Sequence, residues 1–232
     1  MKKLIIIPAY NEMESIVSTV RDVQENAQGF DYIIINDCST DDTKKICDEH
    51  NFNYIDLPIN LGIGGAVQTG YLYAKNNGYD IAVQVDGDGQ HDPSFLDTMA
   101  KELTENKLDM IIGSRFIDKE GFQSSGMRRM GIKFFTFLIK ILTGEKVTDP
   151  TSGLRMVGAN IIDEFAQDYP KDYPEPESIV AILRKDMKIK EIPVRMRERS
   201  GGVSSISIKR SVYYMVKVSL AIILECLRGR RV

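Results

Sequence analysis

The sequence predicts an α/β fold: a mostly parallel central sheet with helices on both faces and an amphipathic helix appended at the C-terminus. Three features predict it. Short apolar runs alternate with segments of helical periodicity, the pattern of a sheet built through crossover helices. The 232 residues suffice for one such domain with a sizeable core. Turns rich in Gly, Asp and Asn follow the apolar runs, at the strand ends where open α/β sheets bind ligands.

Lys3 to Pro8 is the first strand, and Ala9-Tyr10-Asn11-Glu12 leaves it. Ile16, Val17, Val20 and Val23 recur at helical spacing. Tyr32 to Asn36 is a second strand, running into Asp37-Cys38-Ser39-Thr40-Asp41-Asp42, and Thr43 to His50 is a short helix. A third strand spans Asn53 to Leu57, and Asn60-Leu61-Gly62-Ile63-Gly64-Gly65 opens a helix reaching about Asn77. Ile81-Ala82-Val83 is a buried strand, a helix follows Pro93, and Asp109 to Gly113 is the next strand. No repeat, low-complexity tract or linker interrupts the chain, so residues 1–207 read as one domain and 208–232 as the terminal helix.

Composition narrows the class. A hydrophobic content of 43% and a charged content of 27% describe an ordinary globular protein. A formal net charge of -3 argues against a dedicated nucleic-acid binder. Cys38, Cys47 and Cys226 show no metal-type spacing and fit a reduced, cytoplasmic setting. The N-terminus reads as strand, not as a signal peptide, and no apolar run approaches the roughly 20 residues of a spanning helix.

The organising stretch is Gln84-Val85-Asp86-Gly87-Asp88-Gly89-Gln90-His91-Asp92. Asp86 and Asp88 fall on one side of an extended chain, and two carboxylates at a strand's end suit Mg²⁺ or Mn²⁺, completed by substrate phosphates. On its own a bare Asp-x-Asp reads first as a polar surface turn. A calcium loop of the EF-hand type is excluded, because His91 stands where glycine is needed and the flank is a strand. The glycines at 62, 64 and 65 lack dinucleotide-binding spacing and follow the third strand, so no nicotinamide cofactor is expected. They fit either a helix start near a phosphate-bearing ligand or a plain helix-entry loop.

Five pieces occur in order: Pro8-Ala9-Tyr10-Asn11-Glu12, Asn36-Asp37-Cys38-Ser39-Thr40-Asp41, Asn60-Leu61-Gly62, Asp86-Gly87-Asp88-Gly89-Gln90-His91 and Gly113-Ser114-Arg115. Asp149-Pro150-Thr151-Ser152-Gly153-Leu154-Arg155 and Arg199-Ser200-Gly201-Gly202-Val203-Ser204-Ser205 continue the series. The chain thereby resembles the family 2 glycosyltransferases of GT-A (Rossmann-like) fold, in the branch of dolichol- and polyprenyl-phosphate sugar transferases. The resemblance covers roughly residues 1 to 205. It departs from the usual pattern at Asn36, where an aspartate is customary.

That resemblance implies a nucleotide-sugar donor, a polyprenyl-phosphate or lipid-linked saccharide acceptor, and inversion at the anomeric carbon. Pro8, Tyr10 and Glu12 would flank the nucleobase, Asp37 would hold base or ribose, and Gly62 would border the nucleotide. Asp86 and Asp88, with Gln90, would carry metal and diphosphate. Arg115 and Arg199 are guanidinium donors suited to diphosphate or acceptor phosphate, though a surface ion pair is the common fate of a lone arginine. Asp149 is the first candidate for a base or acceptor contact, with Glu175 and Glu177 second. The prolines of Tyr173-Pro174-Glu175-Pro176-Glu177 either fix those carboxylates or stiffen an exposed loop.

Two stretches bear on membranes. Met127 to Leu142 sets Arg129, Lys133, Thr136 and Lys140 against Phe134, Phe135, Phe137, Leu138, Ile141 and Leu142. Ile208 to Arg228 groups Arg210, Lys217, Glu225 and Arg228 opposite a wide apolar face, before the basic Arg228-Gly229-Arg230-Arg231. Such helices lie on membranes, pack on a core or join subunits to an oligomer. The expected setting is the inner face of the cell membrane, held peripherally. Two rivals stand beside the transferase reading. A sugar-nucleotide pyrophosphorylase would need a glycine- and basic-rich N-terminal loop, which Pro8 to Glu12 replaces. A catalytically silent nucleotide-binding scaffold would not need Asp86, Asp88 and Arg199.

Overall fold

A computed structural model describes residues 1–118, 120–121, 126–197 and 208–227. The chain runs β1 (Lys3–Ala9), α1 (Ile16–Asn26), β2 (Asp31–Asn36), α2 (Thr43–Glu49), β3 (Tyr54–Asp56) and α3 (Gly62–Asn76). It continues through β4 (Ile81–Gln84), α4 (Leu96–Glu105), β5 (Met110–Ser114) and α5 (Gly126–Thr143). The last third holds β6 (Arg155–Gly158), α6 (Ala159–Gln167), α7 (Pro174–Leu183), β7 (Ile189–Pro193) and α8 (Ile208–Leu227). The elements read from the sequence up to Ser114 are present within one or two residues of their expected ends.

Among the described residues the sheet has the order β3-β2-β1-β4-β6-β5-β7. Strand β1 is central, paired in parallel with β2 (Ile6 opposite Ile33) and with β4 (Ile6 opposite Gln84). Strand β6 runs antiparallel between β4 and β5, and β7 pairs in parallel with β5. The alternation of apolar runs and helices does not announce β6. Its four residues, Arg-Met-Val-Gly, begin directly after a loop motif and make too short a run to stand out.

Alternation along β1 divides the core. Leu4 and Ile6 join Ile33 and Ile35 of β2 in a cluster covered by α3, α6, α7 and α8. Ile5 and Ile7 join Ile34 and Val83 in a second cluster under α1 (Ile16, Val20, Val23) and α4 (Leu96, Met99, Leu103). Helices therefore cover both faces, as expected.

Helix α3 opens where Gly64 presses on the backbone between α6 and α7. A Cβ there would lie 2.2 Å from the Pro170 carbonyl oxygen, and the Gly64 N–H donates to the Lys171 oxygen (3.1 Å). Gly64 thus permits close packing of the helix start, here against the backbone at Pro170 and Lys171.

Helices α5 and α8 pack on each other, through Phe135 against Tyr214 with ring centroids 5.6 Å apart. On α5, Ile132, Phe135 and Ile139 are buried while Met130, Phe134, Phe137 and Ile141 face outward. On α8, Val218 and Ile222 enter the core, while Val216, Leu220, Leu224 and Leu227 form an exposed stripe at helical spacing. Two polar contacts tie α8 to the rest of the chain: Lys217 Nζ donates to Asp172 (2.6 Å), and Arg184 donates to the main-chain carbonyl of Glu225 (2.9 Å). The outward face is thus apolar, an arrangement that hydrophobic periodicity alone does not reveal. The Arg228–Arg231 cluster lies outside the described residues. Among the described residues no helix is long and apolar enough to cross a membrane.

Candidate active site

The turn after β4 sits among loops leaving the C-terminal ends of the parallel strands. Val85 N–H donates to the Ile6 oxygen (2.9 Å), continuing the β1–β4 pairing by one residue. Gly87 N–H donates to the Pro8 oxygen (3.3 Å), and Thr19 Oγ1 of α1 donates to the Gly87 oxygen (3.0 Å). The turn is therefore pinned to the loop that leaves β1. Asp86 Oδ1 accepts from Gln84 Nε2 (2.8 Å), and the Asp86 N–H donates to His91 Nδ1 (3.0 Å). Its side chain keeps 35% of its surface exposed. Asp88 is 7% exposed, and its Oδ1 accepts from the Gln90 N–H (3.0 Å). Gly153 lies against Asp86: a Cβ there would come within 3.0 Å of Oδ2, so any side chain would displace the carboxylate.

Beside this turn stand the segments expected to receive a nucleotide. Pro8 is buried and Tyr10 is half-exposed. Asn11 has a left-handed φ of 58° and its Oδ1 accepts from the backbone of Thr40 (2.8 Å), joining the loops after β1 and β2. Glu12 Oε2 accepts from Ser15 Oγ (2.7 Å), and its N–H donates to Thr43 Oγ1 (2.9 Å). Asp37 is buried, and its Oδ1 accepts from the Leu61 N–H (2.7 Å), one residue before Gly62. Pro8, Tyr10, Glu12, Asp37 and Gly62 thus lie on three loops that hydrogen bonds tie together, the Glu12 N–H and the Asp37 carboxylate among them.

The departure at Asn36 has a local cause. Asn36 Nδ2 donates to Asp56 Oδ1 (2.6 Å), while its Oδ1 accepts from Ser39 Oγ (2.5 Å). Lys44 donates to the other Asp56 oxygen (2.6 Å) and, ahead of Asn36, holds the Asp56 carboxyl below the usual carboxylate range. An aspartate at 36 would face Asp56 as a like charge. Asn36→Asp is therefore expected to cost about 1–3 kcal/mol at pH 7. A thermal melt should show the loss shrinking as the pH falls toward 4, where the pair can share a proton; an unchanged melting curve at pH 7 would refute this account.

Across the sheet, Asp149 and Arg115 meet. Arg115 Nε and Nη2 donate to the two Asp149 oxygens at 2.6 Å each, and the Arg115 N–H adds a third bond (3.2 Å). Arg115 is 5% exposed and Asp149 wholly buried, so the guanidinium expected on a phosphate and the carboxylate expected to act as base engage each other. Glu191 of β7 accepts from the N–H groups of Thr148 (2.7 Å) and Asp149 (2.8 Å), and burial raises its carboxyl pKa above the ordinary value.

Arg155 is buried beneath these loops. It donates to the carbonyls of Ser152 (2.7 Å), Pro150 (3.0 Å) and Glu175 (2.6 Å), and to Ser178 Oγ (2.7 Å). It thereby binds the 149–155 loop to the first turn of α7. Glu175 and Glu177 occupy that turn half-buried, and Pro174 and Pro176 are buried beside them. The segment is therefore a helix start with its prolines buried, not an exposed loop. Tyr169 gives a sense of proximity: burial foremost, then neighbouring charges that include Glu175 and Asp86, push its phenol well above its ordinary pKa.

Gln90 Nε2 donates to the Arg197 carbonyl (3.3 Å), and the Arg197 N–H returns a bond to the Gln90 carbonyl (2.9 Å). Arg197 also pairs with Asp22 and Asp92. Arg199, expected at a phosphate, lies outside the described residues.

The residues present fit a hard divalent cation. Asp86 and Asp88 offer carboxylate oxygens on one short turn, and the half-exposed Asp86 leaves room for water and phosphate. Among the described residues no three His, Cys, Asp or Glu side chains gather as a metal cluster, so phosphate and water oxygens would complete the shell.

The sequence model of the family described as "Glycosyl transferase family 2" matches residues 4–165. The chain belongs to this family. The UDP-N-acetylglucosamine–dolichyl-phosphate N-acetylglucosaminyltransferase of Methanococcus voltae is 31% identical over 214 residues, covering 82% of this chain and 84% of that one. The undecaprenyl-phosphate mannosyltransferase of Micrococcus luteus is 27% identical over 242 residues, 99% of each chain. Glucosyl-3-phosphoglycerate synthase of Mycobacterium tuberculosis, solved with Mn²⁺, UDP and phosphoglyceric acid, superposes with a TM-score of 0.73 at 18% identity. The superposition spans 97% of this chain and 78% of that one, and it bears on the fold, which is GT-A.

In this glycosyltransferase several supporting residues were not singled out from sequence. Gln84 and His91 flank the acidic pair and could have been found from that position. Arg155 closes a recognised motif. Glu191 carried no signal, since one glutamate in a strand of mixed polarity looks like any exposed position.

Proposed function

We propose that this glycosyltransferase moves a sugar from a nucleotide-sugar donor to a polyprenyl phosphate, with inversion, while resting peripherally on the inner face of the cell membrane. Tyr10 and the loops around Glu12, Asp37 and Gly62 receive the nucleoside. Asp86, Asp88 and Gln90 hold Mg²⁺ or Mn²⁺, whose charge offsets that of the departing nucleoside diphosphate. Arg199 is assigned to phosphate, and Arg115, held by Asp149, shapes the loop beside it. Glu175 and Glu177 orient the sugar or acceptor from the first turn of α7.

One observation carries the choice of acceptor: Asp149, the leading candidate for a general base, is buried with both oxygens bonded to Arg115. A hydroxyl acceptor needs a base, whereas a lipid phosphate arrives already ionised and attacks without one. The named activities of the Methanococcus and Micrococcus relatives support the same acceptor class. The exposed stripes on α5 and α8 give the lipid a surface to approach, at about 25 cal/mol per Å² of apolar area withdrawn from water.

A thermal-shift screen of UDP and GDP, each with and without Mn²⁺ or Mg²⁺, tests the donor site. A nucleotide at a hundred times its Kd adds about 2.7 kcal/mol, or roughly 5–10 °C for a chain of this size. Transfer to a panel of polyprenyl phosphates, lipid-linked sugars and free sugars tests the acceptor; efficient transfer to free sugars alone would sink the proposal.

The membrane contact has its own test. Phe137→Ser, Leu220→Ser and Leu224→Ser alter outward side chains and should leave the melting temperature within about 2 °C of the parent, as surface changes do. Together they are expected to abolish flotation with anionic vesicles. Undiminished flotation of the triple variant would remove the membrane role, and a dimer that it splits into monomers would assign the stripes to a subunit interface.

A further inference from the structure

His91 holds an imidazole nitrogen that the mechanism above leaves unused. The ring is buried, 2% exposed, and Nδ1 accepts from the Asp86 N–H at 3.0 Å. A nitrogen that accepts carries no proton, so the ring proton sits on Nε2. Among the described residues Nε2 is buried with no hydrogen-bond partner. Its nearest anion is Asp86 Oδ2 at 3.7 Å, beyond hydrogen-bond reach. The other Asp86 oxygen is held by Gln84, whose own buried Oε1 also lacks a partner.

A buried donor 3.7 Å from a carboxylate oxygen is a hydrogen bond not yet made. Leaving it unpaired costs free energy, and pairing it recovers that cost. Closing the gap takes about 0.8 Å, to a usual length near 2.9 Å. The Asp86 carboxylate can turn at little cost, since χ2 is broad and two-fold for aspartate. Carboxylates that ligate a metal are themselves commonly fixed by a further hydrogen bond.

We propose that Asp86 turns its Oδ2 onto the His91 Nε2–H when the nucleoside diphosphate and cation bind. His91 is then a positioning residue whose hydrogen bond exists in the loaded site and is absent from the free one. The inference rests on the assignment of Asp86 to the donor site. It adds that the free energy of an unmade hydrogen bond, stored at His91, is released toward ligand binding. Gln84 serves as the opposite rest, holding Oδ1 until the carboxylate turns.

Two measurements test it. The first follows the His91 side-chain N–H in ¹⁵N-labelled full-length protein as Mg²⁺ with UDP, or Mg²⁺ with GDP, is added at fixed pH. The Nε2 proton resonance should move downfield by 1 ppm or more on saturation, about what a new hydrogen bond to a charged acceptor produces. The second uses His91→Asn, whose side-chain oxygen replaces the Nδ1 acceptor while the Nε2 donor is lost. It should weaken binding of the Mg²⁺–nucleotide about tenfold while the melting temperature of the free protein falls little. A role confined to packing would lower that melting temperature and leave affinity alone.

If the wild type binds nucleotide while the His91 proton stays put and His91→Asn binds equally well, the inference falls and the donor site stands. If the wild type binds neither nucleotide, and Asp88→Ala changes nothing, the donor assignment falls and the inference with it. Should His91→Asn fail to fold, the wild-type resonance decides alone.

Discussion

Asp88→Asn is expected to lower the transfer rate by at least about 10³-fold, on the scale seen when a preorganised group facing the developing charge is removed. The substitution keeps an oxygen to accept the Gln90 N–H, so the turn should retain its shape. It removes the negative charge that a hard cation requires of its ligands. Two measurements must agree: initial rates with a polyprenyl-phosphate acceptor, and the metal dependence of nucleotide-induced stabilisation. The melting temperature of the free variant should stay within about 2 °C of the parent, since the side chains are isosteric and the change adds no cavity. Transfer at the parental rate would defeat the metal assignment, as would metal-independent transfer by the parent.

The second large effect falls on stability. Asp149→Ala leaves the Arg115 guanidinium buried without its carboxylate, and breaking one partner of a buried pair costs about 3–5 kcal/mol. At roughly 2–4 °C per kcal/mol, the melting temperature should drop by about 10 °C. Replacing both members, Arg115→Met with Asp149→Leu, removes the stranded charge and should recover most of that loss. A base would add a second effect: transfer would fall further than the lost stability explains, and the acidic limb of the pH–rate profile, where a carboxylate base is protonated, would disappear. Calorimetry on the single and double variants reads the structural role, and pH–rate profiles of the same variants read the catalytic one.

Much of the first half of the fold was legible because local pattern and tertiary role coincide there. Leu4 to Ile7 form a strand buried on both faces, and the run says so. The antiparallel β6 was not legible, because four residues cannot show a period and nothing local states which way a strand runs. At the site, Asp86 and Asp88 announced themselves as two carboxylates on a glycine-bearing turn. The embrace of Arg115 and Asp149 stayed hidden, since the two lie 34 residues apart and a guanidinium suits a phosphate as well as it suits a carboxylate. The choice of Val218 and Ile222 as the inward residues of α8 escaped for a related reason. A helical wheel shows that two faces differ, but the elements packed against the helix decide which one looks inward.

The place of β6 in the sheet bears on how the chain reaches its native state. Strands β3, β2, β1 and β4 come from the first 84 residues and pair in parallel with near neighbours in sequence. The outer edge of β4 has no partner until residues 155–158 have been made and returned to it. During synthesis a four-stranded half-sheet therefore waits with one apolar edge open, the geometry that invites pairing with another chain. Closing the gap forms the β4–β6 and β6–β5 ladders together and brings Arg155 beneath the ligand loops. Completion of the sheet and assembly of the sugar-transfer site therefore both wait on residues made late in synthesis.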